Sequence, residues 1–275
     1  DNKDIEHTYY YLYLPNAFVP FTIGSNSAVD NPYRDAGLTV WGNIADGMIK
    51  YQLGIFDGSF DHTNSVSGVK DNLAFSGRIQ FTPTMLGFKG EKGYTLADTY
   101  LGKQNVLTIG LGYNTQKWDD GDKHSGTAKA WTVDVMWEQK FGDIVPNLQL
   151  GYIDRKDMPG KHIISKNNQK LGEELYKFKD KAYYVQAQLL YDQVVGIGKP
   201  ALAIRYEKLD DRSPANMDTH RTGVFFNYYI KGQDAKIQLG VDVVNLKNKA
   251  VYKDGDDYYK EKNYTDWTLA LQVQF

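Results

Sequence analysis

Along most of the chain, apolar and polar residues alternate one for one, and the 3.6-residue spacing of an amphipathic helix is almost absent. The C-terminal run shows it best. Trp267, Leu269, Leu271, Val273 and Phe275 fall on one face, and Thr268, Ala270, Gln272 and Gln274 on the other. Val106–Gln116, Ala130–Glu138, Asn147–Ile153 and Asp234–Val243 repeat the pattern. Weaker runs are Tyr9–Leu14, Arg34–Asn43, Met48–Phe56, Asn72–Phe81, Lys181–Tyr191, Pro200–Glu207 and Arg221–Lys231. Together they predict about twelve β-strands, an even number that suits an antiparallel up-and-down barrel.

The connections alternate in length. Short ones lie near Asn43–Gly47, Phe141–Pro146, Gln193–Lys199 and Lys231–Asp234. Long ones lie near Pro15–Tyr33, Asp57–Asp71, Lys117–Lys129, Lys156–Asp180, Leu209–His220 and Lys247–Tyr264. Short turns at one end and long loops at the other are the habit of a transmembrane β-barrel, whereas a soluble sandwich has no reason to segregate them. Thr82–Gln104 breaks the rule: it is either a longer periplasmic connection or one holding an extra structured segment.

Composition supports the membrane reading in one respect and limits function in others. Tyr numbers 21, Gly 26 and aromatics make up 14% of the chain. With the short turns placed inside the cell envelope, Tyr113, Trp131, Tyr152, Tyr183, Tyr206 and Trp267 fall near the external ends of outward faces, and Phe81, Trp137, Tyr191, Tyr228 and Phe275 near the internal ends. Two such girdles suit the headgroup levels of a bilayer. Mean hydropathy is −0.53, and no apolar run is long enough for a helical span, but a barrel strand needs only about 9–11 residues with every second one apolar. Cysteine is absent, which excludes disulfides and thiolate chemistry. A net charge of −2 excludes a dedicated nucleic-acid binder. The chain opens Asp1-Asn2-Lys3-Asp4, without a basic-then-apolar export signal, so an outer-membrane location implies a processed chain.

The inward face is rich in Gln, Asn, Thr, Gly and charge rather than Leu or Phe. Dry and unpaired, such groups would each cost about 1–3 kcal/mol, whereas lining water they cost little, so a hydrated pore is expected. Strict alternation assigns Lys50, Arg78, Arg155, Arg205, Arg221, Lys231 and Lys236 as pore-lining cations, and Asp134, Glu138, Glu207, Asp242 and Asp266 as pore-lining anions. Arg78 and Arg205 fall near mid-strand, where a narrow passage focuses their field on an ion. They could equally pair with Asp134, Glu207 or Asp242 and brace the wall, and the balance of signs argues against strong selectivity.

Asn31-Pro32-Tyr33-Arg34-Asp35-Ala36-Gly37-Leu38-Thr39-Val40-Trp41-Gly42, followed by Tyr51-Gln52-Leu53-Gly54-Ile55-Phe56-Asp57-Gly58, resembles the phosphate-selective porin O/P family. There an Arg-Asp-x-Gly stretch leads to a strand that ends in a Gly-Ile/Val-Phe-Asn-Gly-like turn; here Asp57 replaces the asparagine. Tyr100-Leu101-Gly102-Lys103-Gln104-Asn105 and the terminal Phe275 are similar to it as well. The resemblance covers roughly half the chain in patches, and it implies a homotrimeric outer-membrane barrel, set in lipid and lipopolysaccharide, that conducts small anions such as phosphate past inward Arg and Lys. The chain departs from it in its inward acids and in its strand count, since members have about sixteen strands. Either strands are missing upstream or the barrel is smaller.

Other chemistry is thin. His7, His62, His124, His162 and His220 include one conceivable base, His220 with Asp218 or Asp211, but no serine motif accompanies it. Asp119, Asp120 and Asp122, and Asp254, Asp256 and Asp257, lack the spacing of a calcium loop and read as solvated charge, with a bridging role toward lipopolysaccharide open. No cofactor, metal or enzymatic activity is expected. A scaffold barrel that sheathes a partner is the remaining alternative.

Overall fold

The computed structural model describes residues 37–57, 70–90, 92–93, 99–119, 124–166, 169–211, 218–254 and 257–273. They form eleven strands: β1 (Gly37–Ile44), β2 (Ile49–Phe56), β3 (Lys70–Phe81), β4 (Val106–Asp119), β5 (Ser125–Glu138), β6 (Ile144–Lys166), β7 (Gln169–Tyr191), β8 (Lys199–Asp211), β9 (Thr219–Lys231), β10 (Ala235–Asp254) and β11 (Asp257–Val273). One 3-10 turn, Thr84–Leu86, interrupts the connection from β3 to β4. All eleven strands lie in a single sheet in chain order, each antiparallel to the next. These are eleven of the twelve runs that the alternation predicts; Tyr9–Leu14 lies outside the described residues.

The short turns stand where they are expected. At Ala45-Asp46-Gly47 every residue has positive φ, a backbone that reverses the chain between β1 and β2 within a few residues. Three of the predicted long loops are mostly strand. β6 and β7 stay paired out to Lys166 and Gln169, β10 and β11 out to Asp254 and Asp257, and β4 and β5 out to Asp119 and Ser125. Their sequences show no alternation because ladder hydrogen bonds can continue where neither face needs to be apolar.

The polarity of the two faces is the reverse of a soluble sheet's. Leu53, Ile79, Leu111, Leu202, Ile204, Leu239 and Leu269 are 49–77% exposed. Gln52, Arg78, Gln80, Gln149, Gln186, Asn227 and Gln238, on the opposite face, are buried. There is no second layer among the described residues to cover that face. It is buried because the sheet curls toward it, so that side chains two strands apart meet: Arg78 of β3 reaches Asp134 of β5, and Asn227 of β9 reaches Gln188 of β7. β1 and β11 each have one partner among the described strands, and eleven up-and-down strands leave the two running in the same direction.

Candidate functional site: the polar buried face

Most of the predicted inward charges lie on the buried face, and nearly all of them are paired there. Arg78 donates both guanidinium ends to Asp134, Nη1 to Oδ2 at 2.5 Å and Nη2 to Oδ1 at 2.8 Å. This planar two-bond geometry is the strongest form of an arginine–carboxylate contact. Gly110 of β4 makes it possible. It lies under the pair, and a Cβ at this position would overlap both the guanidinium and the carboxylate. Arg155 of β6 lies opposite Asp180 of β7 in register and bonds it through Nε at 2.7 Å and through Nη2. Asp180 is absent from the predicted set, although it sits two residues ahead of the inward Ala182 and alternation alone places it there.

Arg205 forms an ion pair with Glu207 on its own strand, donates to Gln186 Oε1 at 3.3 Å, and places its guanidinium carbon 5.4 Å from the Tyr184 ring centre. Arg221 lies 3.4 Å from Asp266 and 3.9 Å from Asp242; Asp266 is half exposed near the sheet edge. Lys50 reaches the Gly93 carbonyl at 3.2 Å, and Lys236 reaches Gln233 Oε1 at 3.4 Å. Lys231 departs from the expectation. Its side chain is 78% exposed and lies 3.7 Å from Asp234. It ends β9 as the chain enters a hairpin turn, so it leaves the buried face at that point.

Between these pairs runs a chain of amides. Gln186 donates to Gln149 at 2.8 Å, Asn227 to Gln188 at 2.9 Å, Gln238 to Asn227 at 2.7 Å, and the Tyr229 hydroxyl to Gln188 at 2.8 Å. An amide both donates and accepts, so such residues can tile a face without net charge. The face is therefore self-bonded in part, while the side-chain polar atoms of Ser76, Gln80, Thr108 and Thr132 on it are buried without a partner among the described residues. It also carries rings that the sequence reading leaves out: Trp118, Tyr184, Phe225 and Tyr229 are all buried on it. Tyr184 lies flat over Gly151, and Phe225 over Gly223 and Gly240, where any Cβ would strike the ring. The signal for both sets is alternation itself, which puts Tyr184, Phe225 and Tyr229 in phase with the inward polar residues of their strands.

The two ends of the face differ. At the loop end, the Trp118 indole donates to the Asp157 carbonyl at 2.8 Å and takes the Lys177 ammonium at 5.9 Å, which ties β4 to the tall β6–β7 hairpin. At the turn end, the β3–β4 connection folds inward. The Glu138 carboxylate accepts from Thr99 Oγ1 at 2.5 Å, Asn147 Nδ2 at 2.7 Å, Gly102 N at 3.0 Å and Tyr100 N at 3.1 Å. Beside it, Asp192 receives the ammonium groups of both Lys140 and Lys199. Desolvation pushes the Asp192 carboxyl up, but those hydrogen bonds and positive charges outweigh it and hold the group below the ordinary carboxylate value.

His220 stands in register with Lys208 and Asn245. Among the described residues no group of three or more His, Asp or Glu is arranged to hold a metal ion. His7, His62, Asp120, Asp122 and Asp256 lie outside the described residues.

No protein-family model matches the chain, and no solved structure matches it significantly. The chain is similar to an uncharacterised protein of Aquifex aeolicus (strain VF5), 29% identical over 289 residues that take in 95% of this chain. The match spans 62% of that protein's length.

Proposed function

We propose that this sheet is the wall of a bacterial outer-membrane β-barrel, and that its polar face lines a narrow passage for small hydrophilic solutes with at most a mild preference for anions. The observation that carries this reading is the inverted polarity of the faces. A continuous apolar surface formed by the strands is untenable in water but is what hydrocarbon solvates. Lipid in turn demands that backbone groups be satisfied between strands, which an up-and-down sheet does everywhere except at its two outer edges. Because β1 and β11 run in the same direction, an all-antiparallel closure takes an odd number of further strands, and the alternating run Tyr9–Leu14 is one candidate in the sequence. The tall β6–β7 and β10–β11 hairpins then stand on the external side, among the lipopolysaccharide headgroups.

The paired charges argue for weak selectivity. Arg78 with Asp134, Arg155 with Asp180 and Arg205 with Glu207 each cancel locally, so little unbalanced field acts on a passing ion. The phosphate preference and the homotrimer that the family resemblance implies belong to this proposal. A second reading, a scaffold barrel without transport, is favoured by the self-bonded amides, which brace the wall. Planar bilayers separate the two. A channel gives discrete conductance steps, a reversal potential displaced slightly toward anions in a salt gradient, and a shift toward cations when Arg78→Ala leaves the Asp134 carboxylate uncompensated. Protein that inserts without steps rejects the channel, and a reversal potential that ignores Arg78→Ala rejects a place for the Arg78–Asp134 pair on the ion's path.

A further inference from the structure

The β3–β4 connection is the most unusual element of the fold. It joins neighbouring strands, so a tight turn would suffice; instead Leu101 reaches across the turn end of the buried face. It packs in one apolar cluster with Val145 of β6, Leu190 of β7, Ala201 of β8 and Tyr229 of β9, strands two to five places away from β4. Its backbone is held in the left-handed region at φ +50°, and Gly102 follows at φ +78°. A leucine holds that conformation only when its surroundings fix it, and such residues gather at functional constrictions and switches. Here the surroundings are identifiable. The Glu138 carboxylate grips the backbone N–H groups of Tyr100 and Gly102 and the Thr99 hydroxyl, and Lys103 N bonds the Tyr100 carbonyl to close the turn.

We infer that Thr99–Lys103 is a built-in constriction that sets the size limit of the passage at its turn end, with Leu101 as the obstructing side chain and Glu138 as the residue that positions it. The inference rests on the channel reading. At the turn end Leu101 adds an aliphatic side chain to the apolar patch of Val145, Leu190 and Ala201, on a face whose middle is mostly polar, and an apolar stretch of this kind hinders hydrated solutes sterically and by dewetting. Beside the segment lies a cleft of roughly 340 Å³, lined by Leu101, Val194 and Ile230 as well as by the charged Lys103, Lys140, Asp192 and Lys199.

The test compares the wild-type chain with Leu101→Gly and with Glu138→Gln, by single-channel conductance and by swelling of liposomes in sugars of increasing size. Glycine suits the positive φ, so Leu101→Gly removes the obstruction without straining the backbone. The expected result is a severalfold rise in conductance and entry of larger sugars for Leu101→Gly, with a smaller rise in both for Glu138→Gln, which keeps the shape but weakens the grip. Equal conductance and size limit in wild type and Leu101→Gly, with both inserted, overturns the constriction and leaves the channel standing. Silence from every inserted variant overturns the channel reading and this inference with it.

Discussion

The two faces of β5 show how differently one strand can be held on its two sides. Outward stand Trp131 and Val133, with Tyr152 of β6 tilted against Trp131 at a ring-centre distance of 5.0 Å. Inward stand Thr132, Asp134, Met136 and Glu138, all buried. On the proposed membrane reading the outward residues need only hydrocarbon around them, and almost any apolar side chain serves. Of the inward residues, Asp134 and Glu138 need particular partners at particular distances, because a charged group removed from water costs energy unless its hydrogen bonds are made. In a soluble protein the buried side is the tolerant apolar one. Here specificity has moved to the buried polar side and tolerance to the surface.

The sharpest way to break that contrast is at Asp134. Asp134→Ala leaves the Arg78 guanidinium buried without its carboxylate, which is expected to cost about 3–5 kcal/mol. Replacing both members with leucine should return much of the loss, since two apolar groups leave no charge stranded. Denaturant unfolding of lipid-reconstituted protein, followed by tryptophan fluorescence, measures both. A single variant no less stable than the double would mean the pair is not buried as described.

The outer face should respond to charge and to little else. Leu111→Arg, at the middle of the outward stretch of β4, is expected to cost about 2–4 kcal/mol in lipid, and Tyr113→Arg, nearer the end of that stretch, about 0–1 kcal/mol. Leu111→Val should be close to neutral in the same unfolding assay. Equal costs at Leu111 and Tyr113 would remove the depth dependence that a bilayer imposes.

Gly110→Ala tests the inner face without changing charge. The added methyl overlaps the Arg78–Asp134 pair, and an overpacked site of this kind is expected to cost about 1–3 kcal/mol. If Gly110→Ala is made on the Arg78→Leu/Asp134→Leu background, where the flat ion pair is gone, most of the penalty should vanish. Additive costs would show that the glycine serves the backbone rather than the pair.

The strands were legible because period-two alternation depends only on which side of the sheet a residue faces, and eleven of the twelve predicted runs fall on observed strands. The hairpin tips of β6–β7 and β10–β11 were not, because ladder hydrogen bonds hold paired strands together without any apolar alternation to mark them. Inward charges such as Arg78 and Asp134 followed from the same phase, but their pairing depended on Gly110 lying flat between two strands, which no spacing rule reveals. Lys231 shows the limit of strict alternation, since phase alone does not say where a strand ends and its turn begins. The amides and the inward rings, Gln188, Asn227, Tyr184 and Phe225, are in phase with the inward charges, but a water-filled interior requires no partners for them, so phase alone does not reveal their bonding. Glu138's grip on Thr99–Gly102 joins segments with a connection of undecided form between them, so only three-dimensional placement could show it.

Outside the wall, at the turn end, the contrast softens, and the smallest expected effect lies there. Asp192 has its pKa lowered in the folded state, with Lys140 and Lys199 outweighing the desolvation that would raise it. A depressed carboxyl pKa stabilises the fold above the unfolded-state value, near 3.9, and that contribution is lost as pH falls through the folded-state value. Both lysines are more than a third exposed, so solvent screens the pairs, and the contribution is expected at about 1 kcal/mol or less. Asp192→Asn should therefore lower the denaturant midpoint slightly at pH 7. The gap to wild type should close as pH falls below 4, and added salt should narrow it at neutral pH. The Asp134→Ala penalty should change little with salt, because that pair is buried. If salt weakened both alike, the inner face would be as wet as the turn, and the difference between the two regions would be one of degree.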